Sequence, residues 1–339
     1  MRRLALIVAV AGIGAGALWL PRFSGVAPAF VKEQEELPGA AWTVTTERIP
    51  LLTPHLHEYD PRYEETADGG GSSEAAIFTH GVEAFSEITV APQDLWVTGY
   101  RLAIHNAPGI TLHHAGITRM DEANPVCPQY RKELLGMAPP VEEPIMFPEP
   151  YGVFVAKGTP LQLYAMFHNP LPPFGPGGTY ENVSASVTIE GIPAESVSRA
   201  PLEYVRLHID DEPCADAIGT FVVPPRAEHF ERGADNSRAQ DPARYRFAHE
   251  GTIVLMGAHI HSWEGGEKVA AFLNGDSVAE FLPHQVGAEP WSWTLPIQRP
   301  ENLTVRAGNI LSIAATYENP AERSVRGAMG MLGFWFTAR

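Results

Sequence analysis

The chain has 339 residues, 45% of them apolar, and a formal net charge of −16. It is long enough for two domains with proper cores. Its acidic balance excludes nucleic acid, or anionic lipid held through a basic patch, as a partner.

In chain order, the first element reads as an export signal or an anchor. MRRLALIVAVAGIGAGALWLPRF puts Arg2 and Arg3 ahead of an uncharged run from Leu4 to Pro21, and Ala27-Pro28-Ala29 fits a cleavage site. Retained, residues 4–21 would form a membrane tether, slightly short of the ~20 residues of a full span. Either way the bulk of the chain is expected outside the cytoplasm, in the periplasm or the extracellular space. Residues 31–75 read as an extended, irregular segment ending in the flexible stretch ADGGGSSEAA.

Short strand-like segments follow, rich in β-branched and aromatic residues and bounded by Gly, Pro or Asn. They are SEITVA, DLWVTGYRLAIH, ITLHHAGI, YGVFVA, PLQLYAMFH and NVSASVTIEG. After a seam at DEPCADAIGTFVVPP come TIVLMGAHIH, KVAAFLNG, SVAEFLP, NLTVRAG, ILSIAATYE and GMLGFWF. No amphipathic run is long enough for a major helix. The pattern predicts an all-β protein of two tandem antiparallel β-sandwich, jelly-roll-like domains, residues 76–205 and 206–339. Cys127 and Cys214 are the two cysteines. They either pair in an oxidising compartment or stay as separate thiols.

Four signals point to metal chemistry. Side chains alternate faces along a strand, so His259 and His261 in MGAHIH project to one side, close enough to share an ion. Two buried imidazoles also need two sets of partners, which favours a site over a lone core histidine. His113 and His114 in TLHHAGI are adjacent, so they serve one site only if the strand bulges or ends there. His168 closes the apolar strand PLQLYAMFH. Met329 and Met331, in GAMGMLGFWF, share a face of the last strand. Methionine there is ordinarily core filling, but a thioether beside imidazoles is a soft ligand that favours Cu(I).

This order resembles one family. HH, a single His on a later strand, HxH in a second domain and Met in the last strand is the ligand order of the copper type II, ascorbate-dependent monooxygenases. Those enzymes include peptidylglycine α-hydroxylating and dopamine β-monooxygenases. DLWVTGYRLAIHNAPGITLHHAGI, YGVFVAKGTPLQLYAMFHNP, MGAHIHSWEGGEKVAAFLNG and NLTVRAGNILSIAATYEN carry the likeness over about residues 76 to 336. The resemblance implies two coppers facing each other across a solvent-filled cleft. His113, His114 and His168 would hold one. His259, His261 and Met329, with Met331 as the alternative, would hold the catalytic one. It further implies hydroxylation of a C–H bond of a small substrate by O2, with electrons from ascorbate or another one-electron reductant. A copper-handling protein on the same scaffold, without hydroxylase activity, is the alternative reading.

There are departures from the family. Gly257 and Gly333 stand where the peptide-hydroxylating members have the Arg and Tyr that anchor a peptide carboxylate, and Gly330 replaces a Cys. The substrate is therefore expected to differ. Trp263 and Glu264 lie beside the HxH; they read as a packed aromatic and a solvated turn, with lining of the substrate pocket as the alternative. His55 and His57 form a second HxH that reads as at most a weak surface site. His80, His105, His208, His229, His249 and His284 read as surface or capping residues.

Overall fold

The computed structural model describes residues 40–55, 81–137, 144–172, 175–211, 214, 220–235, 241–261, 265–285, 293–301 and 303–339. The signal-like segment, His57, His80, Trp263 and Glu264 lie outside them. Residues from Pro38 to Arg339 form one compact unit. The architecture is all-β, built from several antiparallel sheets. Among the described residues the one helical element is a 3-10 turn, Gly109–Thr111. No described helix is long and apolar enough to cross a membrane.

Two pairs of sheets each enclose an apolar core. In the first, Tyr180–Pro193 and Leu95–His105 pair at the centre of a seven-stranded sheet. A five-stranded sheet, centred on Pro160–Phe167 and Leu112–Ala123, packs against it. In the second, Glu203–His208, Gly330–Ala338 and Gly251–Ile260 lie side by side, facing a sheet centred on Ile310–Asn319 and Gly266–Leu273.

The expectation of an irregular segment over 31–75 needs correction. Ala40–Thr45 pairs with the far half of Tyr180–Pro193, and Ile49–Leu52 with its near half. Val44, Ile49 and Leu52 enter the first core. The alternation was short and interrupted by Thr and Pro, so it carried little sequence signal.

The two cores interlock. Val254, Leu255 and Trp335, from the second half of the chain, belong to the first core. Val126 and Cys127, from the first half, belong to the second. Cys127 and Cys214 are joined by a disulfide across a separation of 87 residues. In the chain-entropy account, a loop of that size contributes about 4–5 kcal/mol by restricting the unfolded chain. The double variant Cys127→Ser/Cys214→Ser should therefore lower the unfolding free energy by about 2–5 kcal/mol in urea titrations. An unchanged midpoint would contradict a stabilising role for the bridge.

Candidate metal centre and adjoining cavity

The adjacent pair His113-His114 is aimed by a backbone irregularity. Along the pairing of Pro160–Phe167 with Leu112–Ala123, Met166 opposes His114 and Phe167 opposes Leu112, and the register shifts between them. His113 is the extra residue of this bulge. A bulge re-aims a side chain that strict alternation would send to the other face, and both imidazoles are buried. His168 follows directly, and its N–H donates to the Thr111 carbonyl at 2.7 Å, tying the strand end to the turn that opens the His pair.

His259 lies in Gly251–Ile260, and His261 just beyond it. His259 opposes Met331 in the register with the last strand. Directly opposed residues share a face, so the Met331 side chain stands beside His259. The fully buried Tyr317 hydroxyl fixes the neighbouring backbone. It accepts from the N–H groups of His261 at 3.2 Å and Met329 at 3.1 Å, and donates to the Met329 carbonyl at 2.7 Å.

These elements bring all five predicted histidines together. His113 Nε2 lies 2.7 Å from His261 Nε2 and 3.1 Å from His259 Nε2. The His113 ring is centred 4.9 Å from His114 and 5.4 Å from His168. Ligand atoms of His113, His114 and His259 fall within 4.8 Å of one another. The arrangement differs from the two separated sites across a solvent-filled cleft that the resemblance implies. Both histidine motifs sit at strand ends that abut where the sandwiches dock, so their imidazoles form one buried cluster. Burial, reinforced by His261, His114, His259 and His168, pushes the His113 imidazole well below its ordinary pKa. It is neutral at physiological pH, the form that offers a lone pair to a metal. The donors fit a soft or borderline ion such as copper.

Two further histidines were misread from sequence. The ring of His55 lies 4.7 Å from that of His168, so His55 adjoins the cluster instead of forming a weak surface site. A bridge between His55 and Pro170 and the bond from its N–H to the Asn169 carbonyl, 3.1 Å, place it there. His208 is buried, in the row next to Met331, and is not a surface residue. The other expectations hold for His105, bonded to Ser186 at 2.8 Å, and for His229, which is exposed and paired with Glu267 at 2.8 Å. His249 and His284 are exposed, although His284 also lines the rim of the cavity described next.

A cavity of about 640 Å³ opens beside the cluster, and His114, His259 and Met331 are part of its wall. Met329 is buried but does not line it. Three parallel rows of the second half shape this space: His208, Met331 and His259; Arg206, Gly333 and Gly257; Tyr204, Trp335 and Leu255. Gly257 leaves the middle row open at one end, and Gly333 makes room for the Tyr204 ring. A Cβ on Gly257 would meet nothing closer than Ile297 at 3.7 Å, whereas the Tyr204 hydroxyl already stands 2.4 Å from where a Cβ on Gly333 would be. Gly330 is small for another reason. A Cβ there would fall 2.6 Å from the Cβ of Ala315.

No protein-family model matches this sequence, and no curated protein matches it. Among solved structures, recombinant N-glycanase F (PNGase F) is similar at a TM-score of 0.37 and 9% identity, over 87% of this chain and 95% of that one. PNGase F of Flavobacterium meningosepticum, a glycosylasparaginase, gives 0.36 and 9%, over 88% and 96%. The major capsid protein P2 of bacteriophage PM2 gives 0.29 and 6%, over 88% and 98%. At such low scores the likeness carries no argument about the site, and none of the three is a copper monooxygenase.

Two outcomes follow from this geometry. Tyr317→Phe removes the hydroxyl that serves three backbone groups and should cost about 1–3 kcal/mol of unfolding free energy, with weakened metal retention; unchanged stability and retention would contradict the positioning role. The second concerns pH. Burial, with the Arg206 cation adding to it, pushes His208 down to about 3, and His113 is also depressed. Below pH ~6.5 the unfolded chain takes up protons that the folded chain refuses. Stability of the metal-free protein should therefore fall as pH drops from ~6.5 toward ~3, at up to about 1.4 kcal/mol per pH unit per group. His208→Gln should flatten that slope in urea midpoints taken at neutral and acid pH, and an unchanged slope would contradict the assignment.

Proposed function

We propose that the protein is an exported copper-dependent monooxygenase that hydroxylates a C–H bond of a small organic substrate, with O2 and an external reductant such as ascorbate. The observation that carries this reading is the convergence of His113, His114, His168, His259 and His261 in one buried cluster beside a cavity of substrate size. With a thioether, these residues make six donors, enough for two copper ions. Met331 is the better placed of the two methionines, because it opposes His259 and shares the cavity wall with it.

Bound copper would supply the redox step, in which R–H, O2, two electrons from the reductant and two protons become R–OH and water. The chain's own residues do the rest. Neutral imidazoles hold the metal without adding charge to a buried site. The space above Gly257 seats a substrate next to His259 and His114. Leu255, Trp335 and Ile297 wall that space with apolar surface and limit water. Tyr317 fixes the backbone from which His261 and Met329 project. Export rests on the sequence of residues 1–30 alone.

Purified protein should carry two coppers per chain by elemental analysis. His259→Ala should abolish substrate-dependent oxygen uptake while leaving the thermal unfolding of the metal-free protein near that of the parent. Even loss of a group that only supports a ligand commonly costs ~10–100-fold in affinity, and loss of a donor should cost no less. Met331→Leu should therefore weaken Cu(I) binding by about tenfold or more, and Met329→Leu should have little effect. Full activity in His259→Ala would overturn the catalytic assignment. Copper binding without oxygen uptake on any C–H substrate would assign the chain to copper handling.

A further inference from the structure

The cavity has a second polar group in its wall, beside the histidines: the Tyr164 ring is centred 5.9 Å from that of His114. Glu133 and Tyr164, from the first half, meet Arg206, from the second, in its wall. Tyr164 Oη donates to Glu133 Oε1 at 2.9 Å, and Arg206 Nη1 donates to Tyr164 Oη at 3.0 Å. Arg206 Nη1 also lies 3.3 Å from Glu133 Oε2. The Arg and Glu side chains are only 15% and 7% exposed. Gly116 makes room for this set, since a Cβ there would fall 2.3 Å from Glu133 Oε1. A glycine beneath a buried ion pair in the wall of the chamber is a built feature. Buried ion pairs are weak contributors to stability, because desolvation offsets their attraction, so stability alone does not account for it.

We propose that Arg206, Glu133 and Tyr164 form the recognition pole for the substrate's head group, and that the cavity selects an uncharged, mainly apolar molecule bearing one hydrogen-bonding head such as a carboxamide or an alcohol. This rests on reading the cavity as the substrate site of the metal centre. The charge balance decides the class. Arg206 is already neutralised by Glu133. A carboxylate brought to this pole would meet Glu133 with no free cation to balance it, and an ammonium would meet Arg206. Either would give up water to approach a buried pair that is already balanced, which is costly. A neutral amide or hydroxyl donates to the carboxylate and accepts from the guanidinium or the phenol without that cost. The other cationic side chain on the wall, Arg299, is exposed at the mouth and donates to the Met146 carbonyl at 3.1 Å. Exposed there, it is screened by solvent. The head group docks at this pole while the body lies in the open space at Gly257, two residues along the strand from His259.

The test is calorimetric titration of the full-length chain, metal-free and copper-loaded, with phenylacetamide, phenylacetate and phenethylamine. These share one aromatic body and differ in head-group charge. The amide should bind at least about tenfold more tightly than either charged form. Gly257→Val, whose Cβ meets nothing closer than Ile297 at 3.7 Å, should abolish amide binding. Glu133→Gln, which leaves Arg206 as a net cation, should shift the preference toward phenylacetate. Tyr164→Phe, which keeps the charge pair, should weaken the amide and keep the ranking, so the result does not depend on Glu133→Gln folding. A ranking led by either charged form, or no binding of the amide, would overturn the proposal. Binding to metal-free protein is read apart from oxygen chemistry. Neutral selectivity with no copper or turnover would refute the monooxygenase reading alone, and turnover of a charged substrate would refute this inference alone.

Discussion

The two sandwiches meet through an apolar contact centred on Trp335, and the chemistry depends on that contact. The Trp335 ring belongs to the core of the opposite sandwich, where it packs 4.7 Å from Tyr204, 5.6 Å from Phe147 and 6.4 Å from Tyr100. Val254 and Leu255 cross with it. Burial of large apolar side chains is worth about 1.5–3 kcal/mol each, so this contact resists sliding. Rigid docking matters because the histidines come from both halves. An imidazole on Leu112–Ala123 comes within 2.7 Å of one that follows Gly251–Ile260 only if the sheets are locked. The disulfide from Cys127 to Cys214 and the exchange of core residues strengthen the lock.

Within the locked frame, small irregularities do the aiming. A bulge at His113 turns two sequence neighbours toward one place. Glycine at 257 leaves the wall open, glycine at 333 admits the Tyr204 ring, and glycine at 116 admits a buried ion pair. Both features cost regularity in sheets that are otherwise well paired. Loss of local regularity concentrated at one location marks a functional site.

Much of the site could be read from the sequence because it follows strand periodicity. The HxH of His259 and His261 needed only period-two alternation, and the HH pair needed a bulge that the structure contains. The recognition pole was hidden for a physical reason. EYVRLH, which carries Tyr204, Arg206 and His208, alternates from Val205 onward, and RKELLGM opens with three charged residues, Glu133 the third. In one sequence that looks like a solvent-facing edge, but here the polar faces are turned inward against each other. His55 was similarly obscured, because its position depends on a bridge to Pro170 that no local pattern announces. The pairing of Cys127 with Cys214 was equally open in sequence, since 87 residues separate them.

The central claim is that donors from both sandwiches serve one site. The most direct measurement is a double-mutant cycle on copper affinity, with His113→Ala and His261→Ala taken singly and together. Groups in contact couple by about 0.5–3 kcal/mol, whereas groups more than ~7–10 Å apart add within about 0.5 kcal/mol. A shared cluster predicts clear non-additivity of more than about 1 kcal/mol. Strict additivity would mean that the two histidine motifs act as separate sites, and the account would fail.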